Sequence, residues 1–250
     1  MTKFTCVAIA AIFSLCASVA SAGNIVAKVQ YLDFLYNGTP SGTYGGYAGV
    51  GHPDFESSNC GLATGLVQST LINRRPVFAS SRGNGTCDTI ASKQSFQSWF
   101  RSTPGINVPI RGTLTLTDIG GGSYQYSSSK FYPLDGKGFG TDGFQTDHDC
   151  GDTAAHNFSY TMQAHWTSTI TSDAQGISIT GDDDIWLFVN NRLVIDLGGV
   201  HGATTGSVTF SIPEMIILGI SLNQPVTFDL FRVQRHTCAS TFTLTTNLTP

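Results

Sequence analysis

Charge is scarce in this 250-residue chain. Lys and Arg together number 13 and Asp and Glu 17, so only 12% of residues are charged, and glutamate occurs only at Glu56 and Glu214. There is no basic run, which excludes the electrostatic footprint of a nucleic-acid binder or of a polybasic segment on an anionic membrane. Long hydrophobic runs are lacking too. The sustained one, Val7 to Val19, falls short of the ~20 residues that a bilayer-spanning helix needs. The cysteines have no CxxC spacing, which excludes the common zinc sites. Neither GxSxG nor HExxH occurs, so the familiar hydrolase nucleophile and metalloprotease signatures are missing.

What is present begins with an export signal. Lys3, the apolar run to Val19 and Ala20-Ser21-Ala22 have the order of a secretory signal peptide, residues 1–22, leaving a soluble, extracellular single domain of residues 23–250. Cys6 and Cys16 would leave with it, and Cys60, Cys87, Cys150 and Cys238 remain. Four cysteines in an oxidising compartment predict two disulfides with three possible connectivities. The preferred pairing is Cys60–Cys87, closing a short local loop, with Cys150–Cys238 tying the last strand to a mid-chain loop. Of the sequons at Asn37, Asn84, Asn157 and Asn247, two are followed by proline and Asn157 opens a strand pattern. Asn84 is therefore the expected glycosylation site.

The periodicity predicts an all-β chain, an antiparallel β-sandwich with one short helix. The helix spans Ser92 to Arg101, with Phe96, Trp99 and Phe100 on its inner face and Pro104-Gly105 ending it. Strands are predicted at Thr113–Thr117, Ser123–Phe131, Asn157–Thr171, Gly176–Gly181, Ile185–Val189, Leu193–Leu197, Ser207–Ile212, Val226–Val233 and Thr241–Thr246. Asn190-Asn191 predicts a tight hairpin. Gly38 to Gly51, rich in glycine and tyrosine, reads as a mobile loop.

Asp182-Asp183-Asp184 stands directly before the apolar run Ile185–Val189. Three adjacent carboxylates repel one another, and acidic residues are poor strand formers. Such a cluster needs neutralising, by water, by a cation such as Ca²⁺, or by an arginine. If successive strands reverse direction, the loop with Asp196 and His201 and the loop with Arg235 and His236 return to the same edge as the three aspartates. Polar loops gathered on a rigid scaffold are where binding sites form. Each of these residues also has an architectural reading. Asp196 can bond the backbone of a glycine loop, the histidines can be structural, and Arg235 can pair with an aspartate and replace a metal outright.

The stretch from Gly181 through Asp182-Asp183-Asp184 and Asp196 to His201 resembles the signature of fibro-slime domains, a branch of the PA14 superfamily. His52–Glu56, Phe96–Phe100, Phe131–Gly136, His156–Phe158 and Phe228–Phe231 with Arg235-His236-Thr237 fit the same family. The resemblance implies a β-sandwich in secreted or surface proteins that bind glycans, or cell-wall or matrix polysaccharide, in a lectin- or adhesin-like way. It implies no enzyme activity. In lectin members two adjacent aspartates joined by a cis peptide hold Ca²⁺, which places metal ligands at Asp182 and Asp183 and surrounds them with Asp184, Asp196, His201, Arg235 and His236. Those members complete the site with an asparagine, where this chain offers His236, Thr237 and Ser240. The alternative implied by amoebal relatives is a matrix or developmental signalling protein whose aspartates are purely structural.

Two further patterns carry less. Gly138-x-Gly140-x-x-Gly143 lacks the following helix of a dinucleotide site. Asp147-x-Asp149-x-x-Asp152 lacks the spacing and terminal glutamate of an EF-hand loop, though it suits a second, weaker cation site.

Overall fold

The structure, a computed structural model, describes residues 23–140, 154–237 and 239–248. The chain forms the strands β1 (Ile25–Phe34), β2 (Gly42–Tyr44), β3 (Tyr47–Gly49), β4 (Asn107–Gly120), β5 (Ser123–Ser128), β6 (Tyr160–Thr169), β7 (Gly176–Gly181), β8 (Ile185–Val189), β9 (Arg192–Leu197), β10 (Thr204–Thr209), β11 (Pro225–Gln234) and β12 (Phe242–Thr246). Two short helices, α1 (Lys93–Phe96) and α2 (Ile212–Leu218), join them. Ten strands run in the order β10-β7-β12-β5-β4-β1-β6-β11-β8-β9. Every pairing between them is antiparallel.

The long strand β4 makes this a sandwich. Asn107 to Leu116 pairs with β1, and Thr117 to Gly120 pairs with β5. The sheet folds over along it, and its two halves enclose a core that includes Val29, Leu114, Ile179, Leu187, Leu230 and Leu244. A second core lies on the outer side of the β1-β6-β11-β8 half. There Phe34, Trp186, Phe188 and Phe231 are covered by Phe55, Phe96, Trp99 and Phe100 of the segment 52–100. This cover explains why β8 shows no alternation. All five of its residues are buried, because both faces of the strand meet apolar side chains. The expected all-β architecture is what forms.

Several local expectations change. The helix expected at Ser92–Arg101 is regular only over Lys93–Phe96, opened by a Ser92–Ser95 capping box. Past Phe96 the backbone continues only in i→i+3 turns, Ser98 N donating to Ser95 O at 3.2 Å, Trp99 N to Phe96 O at 3.1 Å and Arg101 N to Ser98 O at 3.3 Å. The expected loop at Gly38–Gly51 contains the hairpin β2–β3, turned at Gly45 and Gly46 with φ +55° and +86°, values that suit glycine. Helix α2 was not expected, nor was β1. Cys60 and Cys87 form the predicted disulfide, Cα–Cα 5.7 Å, while the proposed pair Cys150–Cys238 lies outside the described residues. So do residues 1–22 and the Asp147–Asp152 motif. Among the described residues no helix is long and apolar enough to cross a membrane.

Candidate functional site

The strand directions bring three loops to one edge, as expected. Asp182–Asp184 joins β7 to β8, and the Asn190-Asn191 hairpin, with φ +47° and +65°, returns the chain. Strand β9 then delivers Gly198–His201, and β11 delivers Arg235–His236 beside β8. Gly199 N donates to Asp184 Oδ1 at 2.6 Å, and Asp183 N donates to the His201 carbonyl at 3.3 Å. Gly199 lies at φ +103°, where an added Cβ would meet the Gly61 carbonyl oxygen at 2.5 Å, so only glycine brings its amide this close.

The three carboxylates straddle the end of β11. Alternation along that strand sends Arg232 and Gln234 to the inter-sheet core and Arg235 to the outer core. Asp182 Oδ1 accepts from Arg232 Nη2 at 2.9 Å, and its Oδ2 accepts from Thr241 N at 2.7 Å. Asp184 meets Arg235 on the other side, accepting from Nε at 2.6 Å and Nη2 at 3.2 Å. Asp183, between them at φ +50°, turns back to the strand end. Its Oδ2 accepts from Arg235 N at 2.8 Å, His236 N at 3.0 Å and Gln234 Nε2 at 3.2 Å. Asp tolerates this left-handed conformation better than most residues.

Both guanidinium groups are fully buried. Arg232 donates to Tyr160 Oη at 2.7 Å and to Gln234 Oε1 at 2.6 Å, and it packs against the rings of Phe131, Tyr160 and Phe242. Arg235 lies 5.0 Å over the Trp99 ring and also donates to the Thr89 carbonyl. Burial pulls both arginines down, but their anionic and phenolic neighbours outweigh it and hold them above their ordinary values. Asp183 is the odd carboxylate among two cations. Burial first, and Asp182 second, push it well above the usual carboxylate range.

The remaining predicted residues make contacts of their own. Asp196 is not brought into the carboxylate cluster. It points to the outer core, where it accepts from Gly65 N at 2.8 Å and Trp186 Nε1 at 2.9 Å, and burial raises it. His201 is buried, with its two ring nitrogens against the carbonyls of Gly202 and Leu197. The His236 ring is partly exposed, with Nδ1 3.2 Å from Glu56 Oε1. Thr237 also turns to Glu56, donating through its Oγ1 at 3.0 Å. Ser240 Oγ donates to Phe131 O at 2.7 Å. Asn84 is exposed, its Oδ1 accepting from Thr64 N at 2.7 Å.

As placed, these residues do not fit an open calcium site. Ca²⁺ takes about six to eight oxygen ligands. Here five of the six carboxylate oxygens of Asp182–Asp184 accept hydrogen bonds, and the nearest cations are arginines. Among the described residues no three His, Cys, Asp or Glu side chains gather as a metal-ligand group. Every peptide bond among them is trans, including the Asp182–Asp183 link that is cis in the lectin pattern.

Sequence reasoning missed Arg232 and Gln234. Their signal was there. A charged residue in the apolar strand Phe228–Val233 is rarely buried without a partner, and Arg232 lies two residues before Gln234 on the same strand face.

No protein-family model matches the chain. Curated relatives do. Over 202 residues it is 35% identical to protein psiD of Dictyostelium discoideum, covering 78% of this chain and 38% of psiD. Protein psiR of the same organism is 34% identical over 221 residues, 86% of this chain and 20% of psiR. The chain is a homologue of the psi proteins, in keeping with the fibro-slime resemblance of its sequence. It spans about a fifth to two-fifths of the length of these two relatives. Among solved structures, this chain is similar to the PA14 domain of the MpAFP antifreeze protein. That likeness has 10% identity and TM-score 0.33, over 91% of this chain and 87% of that one. A PA14 sugar-binding domain from an RTX adhesin gives 11% identity and TM-score 0.35, over 88% of each.

Proposed function

We propose that the chain, once freed of residues 1–22, is an exported recognition module that binds glycan or matrix polysaccharide in an adhesin-like way. It does so without calcium, its aspartate cluster serving as an internal clamp. The glycan half of this reading is supported by the fibro-slime resemblance of the Asp182–His201 block. The calcium-free half is supported by one observation, the saturation of Asp182 and Asp184 by Arg232 and Arg235, both fully buried. A cation entering here would have to displace two guanidinium groups from a desolvated site, where opposite charges interact strongly.

The proposed module is not an enzyme. Among the described residues, Ser98 and His52 are placed like a nucleophile–base pair, at 2.8 Å. Asp54 N donates to His52 Nδ1 at 3.2 Å, so the proton sits on Nε2. The imidazole therefore donates towards Ser98 and cannot take its proton.

The test is a thermal melt of residues 23–250 with Ca²⁺ and with excess chelator, alongside a glycan panel under both conditions. The expected result is the same melting temperature and the same hits. A ligand that binds only the folded state must raise the melting temperature. A calcium-dependent rise that disappears in Asp183→Asn would restore the metal reading.

A further inference from the structure

One cleft lies away from the aspartate edge. It has a volume of about 500 Å³ and is walled by α1 and the turns after it, with His52-Pro53 opposite. That volume is in the range of small-ligand sites, roughly 300–1,000 Å³. Eight of its ten lining residues carry a hydroxyl, amide, imidazole or guanidinium group. Pro53 and Ile106 supply the apolar remainder.

The same short segment builds both sides of this arrangement. Phe96, Trp99 and Phe100 turn inward and anchor it in the outer core. Gln94, Gln97, Ser98 and Arg101 recur at spacings of three, four and seven and face the cleft. An outward polar face is ordinarily only solvated. This one is set apart by its concavity and by its floor. His52 is buried there, 3% exposed, with Nε2 pointing at Ser98 Oγ (2.8 Å) and the Ser95 carbonyl (3.2 Å). Ser98 Oγ passes its own proton to Ser95 O at 2.8 Å, so an oxygen lone pair is left for an incoming donor. Burial lowers the His52 pKa and keeps the ring neutral.

The charge in the cleft is one-sided. Arg101 is exposed and pairs with no carboxylate among the described residues, and no acidic residue lines the cleft. The side chains of Gln94 and Gln97 likewise have no partner there. A free guanidinium fork matches a carboxylate with two parallel hydrogen bonds. The amides and hydroxyls beside it suit a ring bearing several hydroxyl groups.

We infer that this cleft is a binding site for acidic saccharides of the uronic acid class, with Arg101 taking the carboxylate and Gln94, Gln97 and Ser98 taking hydroxyls. The inference rests on the glycan-binding reading above and locates it at a site distinct from the aspartate clamp. The test is titration calorimetry of residues 23–250 with a galacturonate pentasaccharide and with a neutral galactose pentasaccharide. The expected result is binding of the first, weakened about tenfold or more in Arg101→Ala, because a hydrogen bond to a charged group is lost. Arg101→Lys should recover part of it, keeping the charge without the fork. Arg101 and Gln97 are both exposed, so substituting either leaves folding intact. Galacturonate binding unchanged in both Arg101→Ala and Gln97→Ala would overturn the cleft and leave the glycan-binding reading standing. Binding of the neutral sugar alone would overturn the acidic class. A protein that binds neither sugar, nor any member of a glycan panel, would overturn both proposals together.

Discussion

Asp184 receives two nitrogens of Arg235, and neither side chain has any exposure to water. The pair links the turn before β8 to the end of β11, and through Trp99 and Thr89 it reaches the covering segment. With the Asp182–Arg232 pair on the opposite face of β11, it fixes the loop edge from both sides of the sheet.

Removing one partner of such a pair leaves a buried charge alone. Asp184→Asn should therefore destabilise the fold by about 3–5 kcal/mol, equally with and without calcium. Replacing both partners, Asp184→Leu with Arg235→Met, should cost less than the sum of the two single changes. Urea unfolding of the four proteins measures the coupling. Strictly additive losses would mean that the two residues act independently.

Asp33 should shape the pH dependence. It is fully buried, accepting from Asn157 Nδ2 at 2.7 Å and Phe139 N at 2.6 Å. Burial pushes its carboxyl from 3.8 up to about 7, against the pull of those hydrogen bonds. The folded state thus holds a proton that the unfolded chain has released. The contribution of Asp33 to stability falls as pH rises from about 4 to about 7 and is level above that. Urea midpoints at pH 4, 5.5 and 7.5 should show a downward trend that is shallower in Asp33→Asn. Parallel trends in the two proteins would exclude this role.

Glycosylation should discriminate between the two sequons that no proline follows. Asn157 is fully buried, with its amide spent on Asp33 and its carbonyl accepting from Ser159 N. Asn84 is exposed, and only its carbonyl oxygen is engaged. In a glycosylating host, peptide mapping should find sugar at Asn84 and none at Asn157. A modified Asn157 would contradict the packing around Asp33.

The sequence made the edge legible because strand parity is a strong constraint. Once β7 to β11 reverse in turn, Asp182–Asp184, Gly198–His201 and Arg235 must meet. What it did not reveal is which side of a strand each residue serves. Asp196 looked like a fourth carboxylate of the cluster, yet it turns to Trp186 and Gly65. Arg232 was hidden inside an apolar run, where its partner Asp182 is 50 residues away. Helix α2 was obscured by isoleucines, which favour strands. Pro213 near its start and Gly219 at its end, φ +65°, are the stronger signals. Strand β1 follows directly on the predicted leader, and Tyr31–Leu35 is largely apolar because both its faces are covered.

The folding of the sheet along β4 also decides what happens at its two margins. Strands β10 and β9 stand at opposite ends of the ten-strand order, yet Gly206 of β10 sits directly against Ile195 and Leu197 of β9. The outer side of β9 is further occupied by the segment around Ser69, whose carbonyl accepts from Leu193 N at 3.0 Å. Free sheet margins invite another chain to add a strand, the usual route to edge-to-edge aggregation. At these two margins little is left open, so crowding many copies should not by itself drive them to polymerise through their backbones.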